Sequence, residues 1–276
     1  MSLRALGRPG IGALATGQTP VSFRRVQVGS LPAVQADELY GSMLDVASDS
    51  AGVGSNDVEW IRRSWPSRRS EFDRASCYLA YSAGLLVGFM WASRKRAGRF
   101  HLVQLQAAYV RRRFQGCGVG FGLNARMFLR EVLAAPGLRT FLVADMVSPV
   151  AFHGWRSRAQ LAESFFPVLS ADGTSLRSSP LSDVAEVAAS EIYGSGGILS
   201  TAAVLKGRTL PRSGEVRPSG KVDVDRYFRE HVSAELGDAC LVVMNPSIHE
   251  LSRNLRNIFG AVCGVAASSR ERGGVR

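Results

Sequence analysis

The 276-residue chain predicts an α/β fold, a central sheet flanked by helices, and three observations carry that prediction. Two β-rich runs, Tyr78 to Ser82 and Leu85 to Ser93, meet at Ala83-Gly84 and read as a hairpin. A long strand, Phe100 to Val110, runs into a glycine-rich turn and then a helix, with Val119, Leu123, Met127 and Val132 near helical spacing. Pro136-Gly137 ends that helix, and Thr140 to Ala144 is a further buried strand.

The remaining elements follow from the same signals. Residues 1 to 22 carry arginine and no acid, and their apolar residues are broken by Gly and Pro, so a disordered tail is expected there. Phe23 to Val28 is a first strand, and Pro32 opens a helix through Leu39, Met43 and Val46. Ser48 to Asn56 is a loop by composition, and a short helix from Asp57 to Trp65 stops at Pro66. Arg94 to Gly98 is a polar turn. Along the strand from Phe100, strict alternation puts His101, Val103, Leu105, Ala107 and Tyr109 on one face. Leu102, Gln104, Gln106, Ala108 and Val110 take the other. Pro149 suits the first position of a helix through Trp155 and Leu161.

Beyond residue 165 the pattern loosens into insertions on a single domain spanning 23–246. Residues 170 to 180 are a Ser-rich loop, followed by a helix from Leu181 to Ile192. Ile198 to Leu205 and Ala239 to Met244 are expected strands, separated by a basic Pro/Gly-rich loop, 207 to 222, and a helix from Asp225 to Leu236. Ser247-Ile248-His249-Glu250 is a capping box opening an amphipathic helix over 247–267. Its stripe of Ile248, Leu251, Leu255, Ile258 and Phe259 covers the sheet or meets a second copy in a homodimer. Residues 268–276 are expected to be a second disordered tail.

Composition narrows the function. Apolar residues make up 46% and charged residues 21%, as in soluble globular proteins. No window approaches the roughly 18 to 20 apolar residues of a membrane span. The net charge of +11 invites a nucleic-acid partner. However, only Lys95, Lys206 and Lys221 among the 34 cations are lysines, a bias that fits GC-rich coding. The charge is scattered and aromatics do not alternate with it, so nucleic acid is not expected as a partner. Cys77, Cys117, Cys240 and Cys263 form no CxxC pair, which argues against zinc and disulfides and fits a reducing cytoplasm. No metal site is expected.

The run Gln115-Gly116-Cys117-Gly118-Val119-Gly120 lies between a strand and a helix. Glycines there let several N–H groups converge on a ligand, and the helix start adds the positive end of its dipole. That is an anion site, with Arg111, Arg112 and Arg113 adding field just upstream. A P-loop is excluded, since no Gly-Lys-Ser/Thr follows. A dinucleotide site stays open as a second reading. Gly120-Phe121-Gly122-Leu123-Asn124-Ala125 matches GxGxxA, and Asp145 follows some 25 residues later. Against it, a polar segment separates the strand from the first glycine, and a hairpin precedes.

These residues resemble the GNAT superfamily of N-acetyltransferases, whose loop has the form Gln/Arg-x-x-Gly-x-Gly/Ala. Gln115, Gly118 and Gly120 fill those positions, and Tyr109-Val110, five residues before Gln115, is similar to the family's fourth-strand ending. Leu86-Val87-Gly88-Phe89 resembles its third strand. Ser148-Pro149-Val150-Ala151 with Trp155 parallels its Asn-x-x-Ala and a tyrosine seven residues on. The similarity covers residues 76 to 160 well and 23 to 75 loosely. It implies a GNAT-like mixed sheet splayed between the fourth and fifth strands, with acetyl-CoA as acyl donor. The pantetheine would pair with backbone from Ala108 through Tyr109 to Val110. The pyrophosphate would sit on N–H groups of Gln115, Gly116, Cys117, Gly118, Val119 and Gly120, and Ser148 and Trp155 would stand near the cofactor. The implied acceptor is a small-molecule or protein amine.

Departures from the family leave the catalytic residues unassigned. Trp155 stands where a tyrosine often protonates the thiolate, and an indole N–H is not acidic enough for that. Ser148 replaces an asparagine, and the fourth strand carries Gln104 and Gln106 where a carboxylate is frequent. His101, His153 and Asp145 are the remaining candidate bases, and Cys117 reads as a small filler in the loop. A GNAT-like acyl-CoA-binding module without turnover is the alternative to an active enzyme.

Overall fold

A computed structural model describes residues 20–51, 56–135, 139–157, 165–173, 175–176, 180–194, 202–212 and 216–245. Five strands build the N-terminal part of the sheet: β1 (Val21–Gln27), β2 (Ser76–Ser82), β3 (Leu85–Ala97), β4 (Phe100–Val110) and β5 (Arg139–Met146). The later strands are β6 (Phe165–Phe166), β7 (Val168–Leu169), β8 (Ser175–Leu176), β9 (Val204–Leu205) and β10 (Ala239–Met244). The main sheet runs β1-β2-β3-β4-β5-β10-β6, with β9 also on β10. β4 and β5 are parallel and the other pairings in it are antiparallel, so the sheet is mixed, as expected.

Helices cover both faces: α1 (Ala33–Ala51), α2 (Asn56–Ser64), α3 (Arg69–Asp73), α4 (Val119–Ala134), α5 (Pro149–Arg156), α6 (Ser182–Tyr193) and α7 (Val222–His231). One apolar cluster fills the face under α4, α5 and α7, where Val103, Leu105, Leu142 and Ala144 meet Leu123, Met127, Phe152 and Tyr227. The opposite face carries two clusters. One packs α1 to α3 on Leu79, Phe89, Trp91 and Ala107, and the other packs α6 on Leu102, Phe141 and Val143. Arg208 links the two sides, pairing with Glu71 of α3 and with Asp145 of β5.

Several expectations need correction. Strict alternation along β4 fails, because Trp91 pairs with Ala107 while Ala92 pairs with Leu105, leaving Gln106 as an extra bulged residue. Above the bulge the faces exchange: Val103 and Leu105 point toward α4, while Ala107 and Tyr109 join α1 to α3. α1 continues to Ala51 through four residues assigned to a loop, since Asp49 and Ser50 gain partners in the glycine loop. Arg94 to Ala97 extend β3 instead of turning, paired in order with Val103, Leu102, His101 and Phe100 of β4. β1 starts two residues earlier than expected, and α7 spans Val222–His231 where 225–236 was expected. Of the expected strand 198–205, the described residues show Val204–Leu205. The capped helix over 247–267, the tail 268–276 and residues 158–161 of the Pro149 helix lie outside the described residues.

Candidate active site

β4 and β5 pair from Phe100↔Arg139 to Leu105↔Ala144, and beyond that register no pairing joins them. β4 nevertheless continues to Val110, held on its other edge by β3. The sheet therefore parts immediately after the bulge at Gln106, which is the splay that the resemblance implies. On the β3 side, Arg111 N donates to Val87 O at 2.8 Å. Because antiparallel ladders alternate, Tyr109 turns its backbone groups toward β3, while Ala108 and Val110 turn theirs into the gap. The Val110 carbonyl is taken there by Gln115 Nε2 at 3.1 Å. The Tyr109 ring packs among Trp65 and Phe89.

The loop after β4 is tied down before it reaches α4. Arg112 N donates to Asp49 Oδ2 at 2.8 Å, and Gln115 Nε2 donates to Ser50 O at 3.1 Å. Gly116 and Gly118 both have φ of +78°, a conformation costly for any residue with a Cβ. Among the described residues, the N–H groups of Gly118, Val119 and Gly120 make no backbone hydrogen bond outside the helix. They are the unsatisfied donors of a helix start, and a ligand can complete them. Gly88 lets this helix approach closely: a Cβ there would stand 3.1 Å from Val119 Cγ1. Beside the loop, Asp49, Leu85, Arg111, Arg112 and Arg113 line a cleft of about 450 Å³.

Not every sequence candidate joins this constellation. Cys117 is half-exposed, with Sγ 3.8 Å from Gln115 O, so it fills no core. Ser148 caps α5, its Oγ accepting from Ala151 N at 3.3 Å. Trp155 is buried in the α5 core with Phe152 and Phe228. His101 lies with Glu131, Nε2 3.6 Å from Oε2, in the paired part of β4. Among the described residues, no group of three or more His, Cys, Asp or Glu could hold a metal ion, and no helix is long and apolar enough to cross a membrane.

Asp145 does stand at the gap, one residue past the last β4–β5 pair, on the face of Phe141 and Val143. Its carboxylate is 13% exposed, and Arg208 Nε lies 3.2 Å from Oδ2, close enough to pair but without hydrogen-bond geometry. Arg208 Nη2 is also 3.7 Å from Glu71 Oε1, and Glu71 Oε2 is 3.5 Å from Arg68 Nε. Arg68 closes the chain on the bulge by donating to the Gln106 carbonyl. Burial raises the Asp145 carboxyl above its ordinary range, against the pull of Arg208 and Arg68. Burial likewise pushes the Tyr193 phenol well above its ordinary value, and the Asp145 charge adds to this. Tyr193 Oη is buried near Gln104 and Arg208 without a well-formed hydrogen bond, and the Gln106 side-chain oxygen is buried without one.

Arg208 is presented by a strap, residues 206–212, crossing from β9 to the α2 end of the molecule. Lys206 Nζ and Gly207 N bond the buried Asp238 at 2.8 and 3.1 Å, and Thr209 N bonds Gly237 O at 2.8 Å. Trp60 Nε1 donates to Leu210 O at 2.8 Å, and Arg212 pairs with Asp57. Sequence reasoning read this stretch as a basic loop and missed Arg208, as it missed Tyr193, Glu71 and Arg68. Only the unexplained concentration of arginine and proline marked the strap.

No protein-family model and no curated protein matches the chain. Among solved structures, it is similar to the PaiA N-acetyltransferase of Thermoplasma acidophilum in complex with coenzyme A, at 16% identity and a TM-score of 0.38. That match covers 56% of this chain and 94% of the other. Escherichia coli ElaA is similar at 15% identity and a TM-score of 0.38, over 54% of this chain and 90% of that one. Glucosamine-6-phosphate N-acetyltransferase of Arabidopsis thaliana is similar at 14% identity and a TM-score of 0.32, over 50% and 90% respectively.

Proposed function

We propose that the protein is an N-acetyltransferase that moves an acetyl group from acetyl-CoA to a primary amine. The observation that carries this reading is the parting of β4 from β5 directly upstream of a loop with open N–H donors. Ala108 and Val110 offer the pantetheine a strand edge, and Gly118 to Gly120 offer the pyrophosphate a helix start. Arg111 to Arg113 line the adjacent cleft and add positive field for the phosphates. The bound thioester supplies the activated acetyl group; the protein supplies alignment of the amine and a polar environment at the gap. Trp155 packs in the core and takes no part in proton transfer. A binding module without turnover is the second reading, favoured by that tryptophan where the family often has an acid.

Calorimetric titration with acetyl-CoA and with NAD tests the donor. Wild type should bind acetyl-CoA and not NAD. Gly118→Glu should abolish binding by placing a carboxylate where phosphate approaches. Gly118→Ala carries the same backbone strain, about 1 kcal/mol, without the charge, and should retain binding. NAD binding, or unchanged acetyl-CoA affinity in Gly118→Glu, would overturn the donor assignment. Thiol release against a panel of amines separates enzyme from binding module.

A further inference from the structure

We propose that the acceptor is a zwitterion, an α-amino acid, whose ammonium group is taken by Asp145 and whose carboxylate is taken by Arg208. The inference rests on the acetyltransferase reading and names the acceptor for that same gap.

The charges at the gap carry it. Arg68, Glu71, Arg208 and Asp145 alternate in sign along one chain of contacts, and together they sum to zero. A plain cationic amine entering beside Asp145 would displace Arg208 and add a positive charge next to two guanidinium groups. A phosphorylated amine would bring two negative charges against one released guanidinium. An ammonium and a single carboxylate replace one ion pair by two and leave no buried charge without a partner, which is the costly outcome. The two poles lie close together, Arg208 Nε 3.2 Å from Asp145 Oδ2, so a small displacement of Arg208 admits a ligand whose ammonium and carboxylate are near one another. In an α-amino acid, one carbon separates the amine from the carboxylate carbon. An ω-amino acid spaces them too widely.

The surroundings suit such a ligand. Arg208 is 32% exposed, with its guanidinium 4.8 Å from the centre of the Tyr193 ring, whereas Asp145 is held by β5. The Tyr193 hydroxyl and the Gln106 side-chain oxygen are buried near the gap without well-formed hydrogen bonds, one able to donate and the other to accept. The raised carboxyl of Asp145 suits it to take a proton from the ammonium. The transfer then balances. Asp145 accepts one ammonium proton, and the freed nitrogen lone pair forms the N–C bond as the C–S bond breaks. The surplus proton on the new amide nitrogen leaves with the thiolate as free thiol.

The test pairs each common α-amino acid with its own carboxamide, which keeps the amine and removes the negative charge, and adds ω-amino acids of similar size. Acetyl transfer is followed by thiol release in wild type, Arg208→Gln and Arg208→Lys, with calorimetric binding of the same compounds alongside. At least one amino acid should exceed its carboxamide by about tenfold or more in kcat/KM, the scale of one charged hydrogen bond. That ratio should fall to near one in Arg208→Gln and to an intermediate value in Arg208→Lys, with acetyl-CoA affinity unchanged and folding verified by thermal melting. Equal use of acids and carboxamides, preference for an ω-amino acid, or a ratio untouched in Arg208→Gln would overturn the proposal. If acetyl-CoA does not bind, the acetyltransferase reading fails instead. Acid-selective calorimetric binding, present in wild type and lost in Arg208→Gln, still decides the acceptor: its presence supports the proposal and its absence sinks it.

Discussion

Glu131 illustrates how a single side chain ties α4 to the sheet. It projects from α4, is 1% exposed, accepts two bonds from Arg94, and accepts from Tyr78 Oη at 2.8 Å. Burial works to raise its carboxyl, but the hydrogen bonds from Arg94 and Tyr78 outweigh burial and hold it below its ordinary value. A carboxyl depressed on folding adds stability that is present above its unfolded value, about 4.3. That stability is lost as pH falls through the folded value. Glu131→Gln should therefore cost about 2 kcal/mol at pH 7, between buried and exposed pairs because Arg94 reaches solvent. The cost should shrink below about pH 4. Urea unfolding of both proteins at pH 7 and pH 3 reads the difference; an equal cost at both would assign the residue's effect to packing. At this scale the glycine loop was legible, because left-handed turns leave glycine in the sequence. The ion chain was not. Asp145 and Arg208 are 63 residues apart in the chain, and no local spacing links them.

Elements show where local rules yield to tertiary contacts. Ser48 to Ala51 read as loop because serine and aspartate favour caps and turns, yet the helix continues where Asp49 and Ser50 can hold the loop before α4. The bulge in β4 was equally invisible, since alternation presumes an unbroken ladder. Two glycines test the helix packing in opposite directions. A side chain at Gly88 would press on Val119, the first residue of α4. Gly88→Val should cost about 1–3 kcal/mol and weaken acetyl-CoA binding by shifting the helix start. Gly41 lies inside α1, where an added Cβ would meet nothing within 4 Å, so Gly41→Ala should stabilise by up to about 1 kcal/mol. Thermal melting measures both. The strap offers a third test. A Cβ at Gly237 would collide with the Thr209 carbonyl, so Gly237→Ala should displace Arg208 and lower amine turnover while leaving acetyl-CoA affinity intact.

Across the whole molecule, the order of strands and helices from Phe23 to Trp155 was legible, α3 excepted, because hydrophobic periods and turn residues agree there. Beyond residue 165 they agree at α6 and β10, which stand where expected, and fail at the short strands. β6 to β9 are two-residue strands, too short to show any period, and their places are set by pairing with β10 or with each other. Tyr193 ends a helix that was legible, whereas Arg208 lies on the strap between β9 and α7, where no period marks the chain. The net charge of +11 gave no guide, because Arg68 and Arg208 lie with Asp145 and Glu71 in a set whose formal charges cancel. A crystal structure with acetyl-CoA bound tests the central claim most directly. The pantetheine should lie between β4 and β5 against Ala108 and Val110, with the pyrophosphate on the N–H groups of Gly118 to Gly120 and the acetyl group beside Asp145. Density for the cofactor anywhere else, with the gap between those strands empty, would contradict the account.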